Sequence, residues 1–372
     1  MKSIGVFGLL ACLAYRTEAA DTIMDIATCA DLVSAAAATT TGNIAGNFVE
    51  DIVCDEWTDI NITQNTLTLY GESTSFTKAR FVVSDGAILR AEVLVSFTGD
   101  GVLEADYRTV NGGVLNVAKG GEAYFAKDLY ARNAGIITTA DQMVHGGCVY
   151  NEGYLRFESR FVGYACKNIG EDGVAPGNGS GLWNGPDGQV VFKAGANMGD
   201  NGSSADGGRT SNFGGAIYSE GKMSFFDGFA YFVNNVADKG GAIYNAGVLK
   251  FLKESTISFS RNKSVHDGGQ IYNEGILVLR NEGSFTNGYA GGSGGAIYNH
   301  DDGVMTFIKD VEFIGNVAEG HGGAVYISFD AVDYLPEDAT YIQNRIRNPD
   351  QDFYCGDVYV KGELEGDYTC LP

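Results

Sequence analysis

Asp301 and Asp302 are the residues whose type and spacing best suit acid–base chemistry. They form an insertion in an otherwise regular repeat, directly after His300. A glycoside hydrolase needs paired carboxylates, and a polysaccharide lyase needs a base beside cations or carboxylates. The alternative interpretation is a hydrated turn, because Asp and Gly favour turns. We predict no catalytic residue in this chain and keep Asp301 and Asp302 as the weak candidates.

Three histidines, His145, His266 and His321, each stand just before a Gly-Gly pair. Stacked repeats lie ~4.8 Å apart, so histidines in different repeats are too distant to share one zinc ion, whose bonds to nitrogen are about 2 Å long. We interpret these histidines as solvated turn residues. The sequence also has no Cys-x-x-Cys motif, and we predict neither a metal site nor a cofactor.

Residues 167–213 are rich in Gly, Asn, Ser and Asp, which indicates loops inserted between regular segments. Loops on a rigid scaffold often carry binding residues. The predicted binding residues are Trp183, Asp200, Asp206 and Arg209. Two Asn-x-Ser sequences in the same stretch, at Asn178 and Asn201, are predicted to carry N-linked glycans.

The N-terminus has the pattern of a secretory signal peptide, with Lys2, an apolar run from Ile4 to Ala14, and small residues at Ala19 and Ala20. Its removal would take away Cys12 and leave six of the seven cysteines. An even number of cysteines in a secreted chain favours disulfides. They form three pairs that are close in sequence, although sequence alone allows other connectivities. We predict the bonds Cys29–Cys54, Cys148–Cys166 and Cys355–Cys370.

A short sequence is repeated along the chain: Gly-Gly, a small or polar residue, Ile or Val, Tyr, and usually Asn. This repeated phrase indicates the secondary structure that must position the residues above. Its copies begin at Gly146, Gly214, Gly240, Gly268, Gly294 and Gly322. From the second copy on, the steps are 26, 28, 26 and 28 residues. A fixed period of this length indicates a repeat architecture.

Each period contains three short alternating apolar groups separated by turn residues, the pattern of strands. In the copy from Gly240 these groups are 242–245, 249–251 and 257–262. Three strands and three turns per period make one coil of a parallel β-helix, in which equivalent residues stack in columns. Since neighbouring side chains alternate between faces, we expect Ile243 inside and Tyr244, with the other repeated tyrosines, at least partly outside.

The alternation of Gly-Gly-Ala-Ile with Phe-x-x-Asn resembles the repeats of the polymorphic outer membrane proteins, chlamydial-type autotransporters of the pectate-lyase-like superfamily. The best copies are Gly214–Ile217, Gly240–Ile243 and Gly294–Ile297, with Phe232/Asn235, Phe259/Asn262 and Phe313/Asn316. The resemblance implies a right-handed helix and an extracellular passenger implicated in adhesion. The membrane-anchoring strands of that family have no counterpart before Pro372, so we expect a passenger-like rod without a transmembrane segment in the mature chain.

We predict an all-β chain: a single-stranded parallel β-helix of about ten coils whose ends are closed by caps. The predicted parts are a signal peptide (1–20), an N-terminal cap (21–60) with a helix at Cys29–Ala38, degenerate coils (61–145), repeat coils (146–329) with insertion loops (167–213), and a C-terminal cap (330–372).

The formal net charge is −22. Such a surface repels nucleic acid and anionic lipid, and we exclude both as partners. The first hypothesis is a secreted, non-enzymatic protein of the cell surface or matrix that binds an extracellular polysaccharide or a surface protein. The alternative is a carbohydrate-active enzyme, a polysaccharide lyase or hydrolase of the pectate-lyase-like fold. A third possibility is a structural coat component.

Overall fold

The computed structural model describes residues 22–98, 109–139, 141–170, 176–202, 211–252, 254–336, 339–348, 351–355, 358–360 and 363–365. The predicted signal peptide lies outside them, as does Cys370 of the predicted third disulfide. The bonds Cys29–Cys54 and Cys148–Cys166 are present, as predicted.

Strands of successive coils pair in parallel with equivalent residues in register, which confirms the predicted all-β parallel β-helix. In the first of four ladders, for example, Ile243 pairs with Ile217 on one side and with Ile271 on the other. The first ladder, which contains the Ile-Tyr-Asn phrase, consists of Leu115–Val117, Val149–Asn151, Leu182–Asn184, Ile217–Ser219, Ile243–Asn245, Ile271–Asn273, Ile297–Asn299, Val325–Ile327 and Val358–Val360.

The second ladder contains twelve strands, two more than the predicted number of coils. At ~4.8 Å per coil these give a rod roughly 50 Å long. Its strands are Thr22–Ile26, Ile44–Phe48, Thr66–Tyr70, Ile88–Ala91, Glu122–Phe125, Tyr154–Phe157, Gln189–Phe192, Lys222–Phe225, Val248–Phe251, Ile276–Leu279, Val304–Phe307 and Val332–Tyr334.

The third ladder carries the Phe-x-x-Asn phrase. Its strands are Leu94–Thr98, Leu129–Arg132, Phe161–Tyr164, Gly195–Gly199, Gly228–Val233, Ser255–Ser260, Gly283–Thr286, Val311–Ile314 and Thr340–Ile342. Two long strands near the N-terminus, Ile52–Ile62 and Ser73–Val83, run through both the third and the first ladder. The second of these pairs with Leu94–Phe97 at its start and with Leu115–Val117 at its end.

Each regular coil has a fourth strand that the sequence analysis missed, between the Asn corner and the next Gly-Gly pair. The prediction of three strands per coil is wrong because the inward residue of this segment is small, as Ala237, Ala290 and Ala318 are, and gives no large apolar signal. The fourth-ladder strands form two separate sheets: Gly135–Thr138 with Lys167–Gly170, and then Ser211–Phe213, Val236–Lys239, Lys263–Ser264, Tyr289–Ala290, Val317–Ala318 and Arg345–Asn348. Near the C-terminus, Gln351–Cys355 and Glu363–Glu365 pair antiparallel instead.

The helix spans Cys29–Ala38 as predicted, and Thr28 and Asp31 form a capping box at its start. Its buried face presents Leu32, Ala35 and Ala36 to the core at the first coils. The bond from Cys29 to Cys54 ties this helix to the strand beside it. The helix therefore covers apolar side chains that the first coils would otherwise expose.

Columns of identical residues fill the interior. Along the second ladder the rings of Phe192 and Phe225 stack with centroids 4.4 Å apart, and those of Phe225 and Phe251 are 4.7 Å apart. Along the third ladder Phe232 and Phe259 stack at 4.6 Å. Offset stacking adds to the free energy gained by burying these large apolar side chains.

The Gly-Gly pair makes one corner of the coil possible. Gly240 has a φ of +61°, a conformation that glycine adopts without strain. A Cβ on Gly241 would lie 2.2 Å from the carbonyl oxygen of Gly269 in the next coil. The first glycine therefore provides the turn and the second allows the coils to approach each other.

The Asn of Phe-x-x-Asn lies inside another corner of the coil. The Asn235 Oδ1 accepts hydrogen bonds from the Asn201 backbone N–H at 3.1 Å and from its Nδ2 at 2.9 Å. The Asn235 Nδ2 donates to the Met198 carbonyl and to Asn262 Oδ1. Because each amide bonds to the next coil, these fully buried polar groups are satisfied.

The stretch 167–213 differs from its prediction as insertion loops. It contains a complete coil, with the first-ladder strand Leu182–Asn184 in register with Val149–Asn151 and Ile217–Ser219. The segments 171–175 and 203–210 lie outside the described residues. Part of the Gly and Asn content therefore belongs to a regular coil.

Candidate lateral binding face

Trp183 does not face solvent, contrary to its predicted binding role. Its side chain is 7 % exposed, and its ring stacks on Tyr150, at 4.4 Å, and on His145, at 5.4 Å. It occupies the tyrosine position of its coil, since it pairs in register with Tyr150 and Tyr218. Its indole is therefore part of a packed column and is not a platform for a ligand.

The repeated tyrosines form this column on the outer side of the first ladder, opposite the buried isoleucines. Tyr218, Tyr244 and Tyr272 are buried, so their predicted partial exposure is wrong. Phe213 stacks on Tyr244 at 4.8 Å, and the Lys239 ammonium lies 4.6 Å from the Tyr272 ring centroid. Side chains of the fourth ladder thus cover the rings. Tyr150, Tyr298 and Tyr326 are half-buried, in agreement with the prediction.

Asp301 and Asp302 lie in an exposed turn between Asn299 and Gly303. The Asp302 carboxylate is 87 % exposed, and its Oδ2 is 3.8 Å from His300 Nδ1. A catalytic carboxylate lies in a concave site that holds the substrate, whereas this carboxylate stands on an exposed turn. The hydrated turn is the interpretation that this geometry favours.

His145 differs from the solvated turn residue that the sequence predicts. Its Nδ1 accepts the Asn178 backbone N–H at 3.0 Å, and burial lowers its pKa. His266 and His321 are exposed. The described residues contain no group of three or more His, Cys, Asp or Glu side chains that could hold a metal ion.

The two predicted glycan acceptors differ in accessibility. Asn178 is half-buried, and a glycan there stays a prediction. Asn201 is fully buried, and its Nδ2 donates to the Gly163 carbonyl and to Asn235 Oδ1. The prediction of Asn201 as an acceptor conflicts with the fold, because its amide belongs to the internal Asn column.

Asp200 forms a corner of its coil, with a φ of +51°. Its carboxylate accepts a hydrogen bond from the Tyr164 hydroxyl, which raises the pKa of that hydroxyl. The Tyr164 ring lies over Gly199, where a Cβ would be 3.3 Å from the ring. Asp200 therefore orients an exposed aromatic ring. The other two predicted binding residues, Asp206 and Arg209, lie outside the described residues.

Tyr164 belongs to an exposed aromatic surface on the third ladder. Tyr164, Phe229 and Tyr231 expose 45, 56 and 36 % of their surface. The Phe229 and Tyr231 rings stack with centroids 5.4 Å apart and 5° between their planes. We call Tyr164, Asn197, Phe229 and Tyr231 the lateral aromatic face. Grouped exposed aromatic residues are typical of interaction sites.

The register of the third ladder places small and polar residues beside the aromatic rings of this face. Exposed Asn197 pairs with Tyr231 in the next coil, and Gly195 pairs with Phe229. The backbones of Tyr164 and Tyr231 are two coils apart, or roughly 10 Å along the rod. Asn197 therefore lies beside Tyr231 of the next coil and two residues along the strand from Gly199, the register partner of Tyr164.

A network of hydrogen bonds stiffens the side of the face nearer the N-terminus. Asp128 accepts hydrogen bonds from the Ser159 hydroxyl, from the Arg160 backbone at 3.0 Å and guanidinium at 2.9 Å, and from the Tyr130 hydroxyl at 3.1 Å. Burial alone would raise the pKa of Asp128, but these hydrogen bonds outweigh it and lower the pKa. The carboxylate therefore stays charged and fixes the Tyr130 ring.

A shallow pocket of about 540 Å³ lies elsewhere, at the turns that follow the second ladder. Its lining includes Glu254, Arg280, Glu282 and Lys309. Because opposite charges alternate around it, no single ligand charge is favoured. The lateral aromatic face is the better candidate, since its exposed groups are of one chemical type.

The sequence contained a signal for this face that the analysis did not use. In Gly228–Val233, Phe229 and Tyr231 occupy the outward positions that Thr256 and Ser258 occupy one coil later. Aromatic residues at positions that face water need a reason other than core packing.

Among the described residues, no helix combines the length and the apolar character needed to cross a bilayer. No curated protein and no solved structure matches this chain. The Chlamydia polymorphic membrane protein repeat matches it at residues 230–246 and 310–328. Each match joins a Phe-x-x-Asn corner to the next Gly-Gly phrase, as the fold requires. These two segments are therefore similar to the Chlamydia polymorphic membrane protein repeat.

Proposed function

We propose that this protein is a secreted, non-enzymatic rod of the cell surface or matrix that binds an extended polysaccharide on its lateral aromatic face. The observation that carries the proposal is the exposure of Tyr164, Phe229 and Tyr231 on one side of a rigid sheet. The repeat match supports the coarser part, a non-enzymatic surface protein.

The face has the chemistry that a sugar polymer needs. Aromatic rings present flat apolar surfaces that can pack against the C–H face of a sugar ring, and their polar tips supply hydrogen bonds. The Asn197 side chain adds an amide donor and acceptor beside them. A chain that lies along the rod meets one coil every ~4.8 Å, so successive sugars can contact successive coils.

Rigidity favours this mode of binding. The Tyr164 hydroxyl is bonded to Asp200, and the Phe229 and Tyr231 rings stack on each other. Side chains that are fixed before binding lose little conformational entropy when a ligand arrives. A long flexible polymer can also contact several coils at once, which strengthens weak individual contacts.

The proposal is tested with a triple variant, Tyr164→Ser, Phe229→Ser and Tyr231→Ser, in affinity electrophoresis and co-sedimentation with a panel of neutral and acidic polysaccharides. The matched control is Tyr70→Ser, Phe329→Ser and Tyr334→Ser, which removes aromatic residues that are 45, 72 and 63 % exposed elsewhere. We expect the wild type and the control to bind the same polymers. The triple variant should lose at least about tenfold in affinity, because each aromatic contact contributes about 0.5–1.5 kcal/mol beyond its buried area.

Equal binding by all three proteins would show that the lateral aromatic face does not bind the polysaccharide. Release of reducing or unsaturated ends from any bound polymer, abolished by Asp301→Asn with Asp302→Asn, would replace it with the enzymatic alternative. Binding to a surface protein alone, with no polysaccharide bound, would also contradict the proposal.

A further inference from the structure

We infer that the lateral aromatic face selects polysaccharides that carry carboxylates, and that Arg132 is the residue that selects them. This inference rests on the proposed function and names the class of polymer. Its basis is an exposed guanidinium beside the face. This local positive charge acts at contact, whereas the repulsion from a chain with 47 acidic and 25 basic residues acts over longer distances and is screened by salt.

Arg132 lies next to the aromatic face. It pairs in register with Tyr164 of the following coil. Its guanidinium carbon is 4.8 Å from the ring centroid of Tyr130, two residues earlier on the same strand. Stacking on a ring limits the motion of a guanidinium without using its N–H donors. Arg132 therefore presents its donors at the edge of the surface that would hold the sugar.

The N–H donors of Arg132 are not engaged by the part of the protein that the structure describes. Within the described part of the chain, this exposed side chain forms no hydrogen bond and no ion pair. Arg160, in the next coil, contrasts with it because its guanidinium is bonded to Asp128 at 2.9 Å. The nearby carboxylate of Asp200 is occupied by the Tyr164 hydroxyl. The guanidinium of Arg132 is thus available to an external anion.

The planar fork of an arginine matches a carboxylate through two parallel N–H···O bonds. A uronate unit offers this group on the same ring that would pack against Tyr164. Its hydroxyls would lie toward the amide of Asn197. The ligand class is therefore a polyuronate that runs along the rod.

The probe is hyaluronan, compared with the same polymer after its carboxyl groups have been reduced to alcohols. The variants are Arg132→Gln and Arg132→Lys. Arg90→Gln is the matched control, since the Arg90 guanidinium lies 5.5 Å from the Tyr124 ring centroid on the second ladder. All of these substitutions are on the surface, and circular dichroism would establish that the variants fold.

We expect the wild type and Arg90→Gln to bind hyaluronan more tightly than the reduced polymer. Arg132→Gln should lower the affinity for hyaluronan about tenfold, the scale of a charge-assisted pair, and leave the reduced polymer unaffected. The affinity of Arg132→Lys for hyaluronan should lie between those of the wild type and Arg132→Gln, because lysine keeps the positive charge but lacks the planar pair of N–H donors.

Unchanged hyaluronan binding by Arg132→Gln would overturn the inference. Equal affinity of the wild type for the two polymers would also overturn the inference. If the aromatic triple variant then lost affinity for both polymers, the proposed function would still stand. Failure of the wild type to bind either form, or any member of the polysaccharide panel, would overturn both.

Discussion

The coils between Gly214 and Tyr326 and the coils between residues 44 and 98 build the same interior by different means. In the later coils equivalent residues repeat, and Phe225 stacks on Phe251 with 12° between the ring planes. In the earlier coils Phe76 stacks on its equivalent Phe97 at 26°, but it also meets Phe81 of its own strand edge to face at 90°. There the third and first ladders share two long strands, Ile52–Ile62 and Ser73–Val83, with no Gly-Gly corner.

This difference shows that a repeated sequence can pack a core without a separate solution for each contact. Where coils are alike, each Phe or Asn contacts its own copy, and one satisfactory contact is repeated along the rod. Where they differ, each contact must fit separately. The Cys29–Cys54 bond and the helix at Cys29–Ala38 add constraints to that region.

The regular region also contains one departure from the repeat that another residue compensates. Gly288 occupies the position at which other coils have the buried Asn, and Gln270 from the Gly-Gly phrase fills the space. The Gln270 Nε2 donates to Asn316 Oδ1 at 2.9 Å, and its Oε1 accepts from Asn262 Nδ2 at 3.3 Å. A Cβ on Gly288 would lie 2.6 Å from the Gln270 Cγ. The amide column is therefore continuous even where the repeat is not.

Gly241→Ala should break the regular region most severely. Its Cβ would lie 2.2 Å from the Gly269 carbonyl oxygen and 2.6 Å from the Lys263 backbone, so two coils must move apart. We expect the free energy of unfolding to fall by about 3 kcal/mol or more, measured by urea denaturation. The control is Gly86→Ala in the early coils, where φ is +71° and a Cβ would meet nothing within 4 Å. It should cost only the ~1–2 kcal/mol of the left-handed conformation, and equal losses would contradict the role of the Gly-Gly corner.

Cys29→Ser with Cys54→Ser should weaken the early coils selectively. The bond closes a loop with a sequence separation of 25, and loss of such a constraint costs about 3 kcal/mol. Hydrogen exchange should accelerate in residues 22–98 and stay unchanged in 214–326. Acceleration along the whole rod would show that the two regions unfold as one unit.

Gln270→Ala should cost about 2 kcal/mol, because it leaves buried amide groups of Asn262 and Asn316 without partners. Adding Gly288→Asn should restore most of this stability, since the asparagine would resume the column in the space that Gln270 vacated. Gly288→Asn alone should destabilise the protein through its clash with Gln270. The double-mutant cycle, followed by urea unfolding, measures the coupling. Additive effects would mean that the two residues do not share one space.

Alkaline pH should loosen the tyrosine column more gently. Burial raises the pKa of Tyr218, Tyr244 and Tyr272, and hydrogen bonds or charges of Glu220 and Glu274 raise it further. The folded-state pKa exceeds the unfolded value, so this stability is present below pH ~10 and is lost as the pH rises above it. Tyrosinate absorbance should therefore rise together with loss of structure in residues 217–273. Ionisation of these tyrosines in a fully folded rod would contradict their burial.

The sequence alone predicted the helix at Cys29–Ala38, two disulfides, three of the four strands in a coil and the columns of inward-facing residues. Each of these has a local or periodic signature. The fourth strand has no such signature, and the burial of Trp183 depends on stacking against Tyr150 and His145, which only the packed coil brings together. The lateral aromatic face was missed because outward positions were expected to be polar.

The most direct test of the central claim is hydroxyl-radical footprinting of the protein with and without its bound polysaccharide, analysed by mass spectrometry. The account predicts that Tyr164, Phe229 and Tyr231 become protected from oxidation, whereas the exposed rings of Tyr70 and Tyr334 react as before. Protection of Tyr70 or Tyr334, with unchanged oxidation on the third ladder, would place the binding surface on another side of the rod and contradict the account.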